Sequence, residues 1–268
     1  MILQLPSLRT AFPTGLFKRL RPKKKPGRPT SRQADWPAEL QGIYTRALKG
    51  HTLEQVLWGK ALLDSIWLPP DPQQAREWFL IAAQAGEGAA HNMLGRCAHF
   101  GWGDKRDLAQ ARQHYENAAR LGDLWGCYNL GICVLRGLGG PEDRSQAFRL
   151  FRHAALRGHA KSMNLLARFM EEGWETPRNP QAALEWYRRA ATGGDYRGQH
   201  NYATALLAMN CGEEALFWWR QAVEEATPDI LLAMQRSFAR PDAPQDPALQ
   251  RRVAQRLSNL AVAPAPAC

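Results

Sequence analysis

Residues 90–122 read AHNMLGRCAHFGWGDKRDLAQARQHYENAARLG, and residues 126–158, GCYNLGICVLRGLGGPEDRSQAFRLFRHAALRG, return to the same order of residue types 36 positions on. Leu94-Gly95 recurs as Leu130-Gly131, Gly101-Trp102-Gly103 as Gly137-Leu138-Gly139, Asp107 as Asp143 and Tyr115 as Phe151. The period continues outward on both sides: Gly50, Gly86, Gly122, Gly158 and Gly194 stand 36 residues apart. Self-similarity at a period of about 20–50 residues marks a stack of small units, each unable to bury its apolar face alone.

Each column has a physical reason. Asp71, Asp107, Asp143 and Asn179 suit helix N-caps, and Gln74, Gln110 and Gln146 follow three residues on, as in a capping box. Alanines and large apolar residues then recur at helical spacing: Ala75 and Phe79, Ala111 and Tyr115, Ala147 and Phe151, Ala183 and Tyr187. The glycine that closes each period suits the left-handed residue just past a helix C-terminus. Gly59, Gly95 and Gly131 are small enough to let two helices approach closely. Each unit therefore reads as helix A, a glycine-bearing turn and helix B. On this reading Gly122→Val is expected to destabilise more than Gly103→Ala.

These residues resemble the Sel-one-like repeat (SLR) family, 36-residue relatives of tetratricopeptide repeats, over about residues 38–226. The resemblance implies an all-α right-handed superhelix, an α/α solenoid of about five repeats, used for protein–protein contacts as a scaffold or adaptor. It implies no enzymatic activity and no shared ligand. The expected organisation is a basic tail at 1–35, a lone capping helix at 36–50, repeats at 51–86, 87–122, 123–158, 159–194 and 195–226, two closing helices within 227–262 and a frayed end at 263–268. The fifth repeat is short: from Asn179 to its equivalent Cys211 the step is 32 residues, and its turn glycines are missing. Terminal repeats depart from the pattern because they cover an open apolar face.

Charge is concentrated at one end. The formal net charge is +10, while residues 1–34 hold nine basic residues and no acid, so the repeats are near neutral. Lys18, Arg19, Arg21, Lys23, Lys24, Lys25 and Arg28 form the densest run, with Pro22, Pro26 and Pro29 among them. Low apolar content and high charge predict disorder over 21–34. Pro26-Gly27-Arg28-Pro29 weakly resembles an AT-hook, with a plain solvated linker as the simpler reading. Leu5, Leu8, Phe12, Leu16 and Leu20 could form an interfacial segment or an unstructured terminus. A nucleic-acid or anionic-membrane contact is thus expected of the tail alone.

No continuous apolar run reaches the roughly 20 residues that a membrane span needs, and no secretory signal is visible. Five cysteines without a paired pattern suit free thiols, which points to a cytoplasmic setting. Cys97 and Cys133 occupy equivalent positions and read as small core residues. The sequence contains no nucleophile elbow, P-loop or zinc-protease signature, and His91, Cys97 and His99 are spread around one helix. No cofactor, no metal and no catalytic residue is expected.

The remaining candidate is the concave groove that helix A lines in tetratricopeptide-type stacks. Positions flanking the Leu-Gly column select Lys60, Asn92 with Arg96, Tyr128, Asn164 with Arg168, and His200, with Trp125, Lys161 and Arg197 further inward. Asn side chains can hold a peptide backbone, and Arg can fork onto a carboxylate. The groove is expected to take an acidic or extended peptide or protein partner.

Overall fold

The computed structural model describes residues 32–64, 66–240 and 243–262. These residues form thirteen α-helices and no strand: α1 Ala38–Leu48, α2 Thr52–Asp64, α3 Pro72–Gln84, α4 Gly88–Phe100, α5 Leu108–Arg120, α6 Leu124–Leu135, α7 Arg144–Leu156, α8 Ala160–Glu172, α9 Pro180–Thr192, α10 Tyr196–Ala208, α11 Gly212–Ala222, α12 Pro228–Phe238 and α13 Pro247–Val262. The chain divides into two compact units, one ending at Leu150 and the other beginning at Phe151. The tail residues Lys18, Arg19, Arg21, Lys23, Lys24, Lys25 and Arg28 lie outside the described residues.

In the first unit α1 to α6 pack each on the next, and the A helices α2, α4 and α6 also touch in sequence. Local side-chain caps start α3, α5 and α7. Asp71 Oδ1 accepts from the Gln74 backbone N–H at 2.9 Å, Asp107 from Gln110 at 2.9 Å and Asp143 from Gln146 at 2.7 Å, so the expected caps form. The small column closes the A–B pairs: a Cβ on Gly59 would lie 2.5 Å from Phe79 Cε1, and one on Gly95 would lie 2.5 Å from Tyr115 Cε1. Around them Val56, Phe79, Ala82 and Met93 are fully buried in one core.

All five period glycines adopt left-handed backbone, with φ between 82° and 93°. The room for a Cβ runs against the ranking expected for Gly122→Val and Gly103→Ala. Both have positive φ, but a Cβ on Gly122 meets nothing within 4 Å, whereas one on Gly103 would lie 2.5 Å from the Pro72 carbonyl oxygen. The A–B turn of one repeat rests directly on the start of the preceding helix B, and only glycine permits that contact.

In the second unit α8 to α11 pack each on the next and α12 packs on α13, with α8 touching α10 and α10 touching α12. Asn179 caps α9 and Asp195 caps α10, at 2.9 and 3.0 Å. In the shortened repeat helix B, α11, starts after Cys211 without a side-chain cap, and Glu213 and Glu214 place negative charge in its first turn instead. Trp219, Leu231, Met234 and Val253 form the core that α12 and α13 complete. Arg256 of α13 donates to the carbonyls of Val223, Glu224 and Ala226, satisfying acceptors left open past the end of α11.

Candidate partner-binding face

The groove candidates all fall on A helices, but they divide by burial. Lys60, Asn92, Arg96, Asn164 and His200 are buried; Trp125, Tyr128, Lys161 and Arg197 are half-buried; Arg168 is exposed.

The first unit contains Lys60 on α2, Asn92 and Arg96 on α4, and Trp125 and Tyr128 on α6. Asn92 is 1% exposed and accepts at Oδ1 from Asn129 Nδ2 of α6, 2.7 Å away. Its acceptor is therefore committed to the neighbouring A helix rather than to an incoming backbone. The Arg96 guanidinium lies over the Trp102 ring at 5.2 Å. Lys60 sits near Arg96, Asp64 and Asp123, and burial foremost, with the Arg96 charge second, pushes its ammonium down to about 7. Burial pushes the Asp123 carboxyl up, against the Gly126 N–H bond and Lys60 that favour its charged form. Trp125 and Tyr128 meet edge to face at 6.0 Å.

The second unit repeats the amide bridge: Asn201 Nδ2 donates to Asn164 Oδ1 at 2.8 Å. Lys161 pairs with Asp195 at 3.4 Å and Arg197 with Asp229 at 2.8 Å. The same two cations lie 5.0 and 5.2 Å from the Tyr196 ring. His200 Nδ1 accepts from Trp219 Nε1 at 3.2 Å, and burial followed by the Arg197 charge pushes this imidazole down to about 4. Arg168 Cζ lies 5.3 Å over the Trp174 ring, as Arg96 does over Trp102. Unlike Lys161 and Arg197, Arg168 makes no ion pair among the described residues.

Sequence reasoning missed Asn129, Asn201, Trp102 and Trp174 as partners of the expected residues. A signal was present: each recurs two repeats later, in step with the Asn-x-x-x-Arg spacing of Asn92–Arg96 and Asn164–Arg168. Cys97 and Cys133 are buried free thiols. His91 and His114 place their Nδ1 atoms 3.4 Å apart, two nitrogens where a zinc site takes three or four ligands. Among the described residues no three His, Cys, Asp or Glu side chains converge, and no helix is long and apolar enough to cross a membrane.

The Sel1 repeat family matches residues 55–87, 88–123, 126–159, 160–195 and 212–226. Among solved structures, a Sel1 repeat protein from Oxalobacter formigenes is 20% identical, with a TM-score of 0.67 over 83% of this chain and 97% of its own. A Sel1 repeat protein from Klebsiella pneumoniae subsp. pneumoniae is 20% identical, with a TM-score of 0.51 over 74% of this chain and 98% of its own. The immunity protein PA5088 from Pseudomonas aeruginosa is 17% identical, with a TM-score of 0.52 and 86% of each chain covered. At these identities the likeness establishes the fold alone. A search of curated proteins finds no match to the sequence.

Proposed function

This chain belongs to the Sel1 repeat family, and we propose that it is a non-catalytic scaffold whose A helices hold an acidic segment of a protein partner. The observation that carries this reading is Arg168. Its side chain is exposed, its Cζ lies 5.3 Å over the Trp174 ring, and it makes no ion pair among the described residues, so its N–H groups are available to a carboxylate. Attraction of the cation to the indole ring reduces the side-chain freedom that an isolated surface arginine would lose on binding. Lys161 and Arg197 add positive charge to the same unit, moderated by Asp195 and Asp229. The buried amides then serve the scaffold by tying neighbouring A helices into a fixed support, and His200 ties α10 to α11 through Trp219. In the first unit the half-buried Trp125 and Tyr128 offer apolar contact of the kind that dominates protein interfaces.

The test compares affinity capture by the full chain and by Arg168→Ala, followed by titration of whatever protein the wild type retains. The variant is expected to bind at least about tenfold more weakly, one charged hydrogen bond's worth, with an unchanged melting temperature. Equal binding by Arg168→Ala and by Tyr128→Ala would remove the A-helix faces from consideration. A salt-sensitive association with DNA that vanishes without residues 1–34 would instead favour the tail, with its nine uncompensated cations, as the targeting element.

A further inference from the structure

A cleft of ≈ 570 Å³ opens among α1, α2 and α3 of the first unit, within the size range of about 300–1,000 Å³ typical of ligand sites. Trp36, Tyr44, Trp58 and Trp78 line it. Trp36 meets Tyr44 edge-on with ring centroids 5.6 Å apart, and Trp58 lies 5.1 Å from Trp36 and 4.5 Å from Tyr44. Tyr44 and Trp78 are only half-buried, so part of each residue stays accessible in the cleft. The repeat pattern does not require this aromatic content. At the column where Trp58 stands, the next three repeats carry Leu94, Leu130 and Leu166.

The charge of the cleft is one-sided. Asp71 and Glu77 are among its lining residues, and no lysine or arginine is. Asp71 gives Oδ1 to the Gln74 N–H, while Glu77 is exposed and makes no hydrogen bond or ion pair among the described residues. Aromatic walls favour two partners: the flat ring of proline, as in grooves that read proline-rich segments, and a cation placed over a ring face. A carboxylate at the rim favours the cation again and disfavours an acidic ligand.

We propose that this cleft is a docking site for a partner's peptide segment in which proline stands beside arginine or lysine. Proline rings pack against the Tyr44 and Trp78 side chains that line the cleft, and the neighbouring cation reaches Glu77. The ligand is opposite in charge to the one assigned to Arg168, so the two sites are independent.

The probe is the capped hexapeptide Pro-Arg-Pro-Pro-Arg-Pro, titrated into the full chain by calorimetry and by tryptophan fluorescence. Saturable binding with a shift in indole emission is expected, about tenfold weaker when the prolines are replaced by alanine or the arginines by glutamine. Tyr44→Ala is expected to lose binding. Glu77→Lys, at an exposed position that leaves folding intact, is expected to weaken it about tenfold. Absence of saturable binding, or wild-type affinity in both variants, would overturn the proposal. Binding that emerges only after Lys23, Lys24, Lys25 and Arg28 are changed to glutamine would make the chain's own basic segment the occupant. Self-association of the free chain that Glu77→Lys abolishes would make it a second copy. Either result overturns a partner-derived ligand.

Discussion

Asn129 donates its side-chain amide to Asn92 Oδ1 at 2.7 Å, joining α6 to α4, and Asn201 does the same to Asn164 two repeats later, joining α10 to α8. A part-buried amide–amide bond with a buried acceptor fixes the register of successive A helices, because sliding one past the other would leave the buried Asn92 or Asn164 without its partner.

That relationship sets the first expectation. Asn129→Ala should lower stability by about 1–3 kcal/mol, since it leaves the Asn92 acceptor buried and unsatisfied. Replacing both residues by leucine should recover part of the loss, because no orphaned acceptor remains. Urea unfolding of the single and double variants decides it; a double variant less stable than the sum of its parts would show the pair to be more than a register device.

Gly103→Ala should destabilise more than Gly122→Ala. Both positions carry the left-handed penalty of roughly 1–2 kcal/mol, but only at Gly103 does the new methyl meet a backbone oxygen at 2.5 Å. Equal melting temperatures would mean that the turn over Pro72 yields without cost.

Acid should destabilise the chain as pH falls from about 6.5 to 4. Burial holds His114, His159 and His200 down to about 4. Between that value and the ordinary 6.5 the unfolded chain binds protons that the native chain does not. Stability from these groups is therefore full above 6.5 and is lost as pH drops toward 4. His200→Gln should be less stable at neutral pH, having lost a well-fitted partner for Trp219, yet show a shallower decline in acid. An unaltered slope would remove His200 from the account.

Lys60 acts in the opposite pH range. Its folded value of about 7 lies below the ordinary 10.5, so the native state again binds fewer protons and stability should rise as pH increases from 7. The window closes near pH 9, because burial pushes the Cys97 and Cys133 thiols up to about 12 and 11, and the unfolded chain then loses protons that the native chain keeps. Lys60→Met should be more stable than wild type at pH 7 and should lack the rise between 7 and 9. Chemical denaturation at these two pH values measures both.

Much of the fold was legible because its determinants are local. Asp71, Asp107, Asp143 and Asn179 mark helix starts through bonds that reach three residues, and the five period glycines mark helix ends through a single backbone angle. Gly59 and Gly95 announced a close helix pair, which Phe79 and Tyr115 confirm by filling the space that a side chain would need. The candidate site was legible only as a set of positions.

Sequence alone therefore determined the helices, their order, the period that stacks them and the membership of one helix class for every groove candidate, since caps, turns and apolar spacing act within a single repeat. Tertiary structure decided what those candidates do. Burial is a property of neighbours that arrive from the next repeat: Asn92 became a brace because Asn129 lies beside it, while Arg168 stayed exposed on the ring of Trp174. It likewise gathered Trp36, Tyr44, Trp58 and Trp78, from either side of two turns, into one cleft that no spacing along the chain foretold.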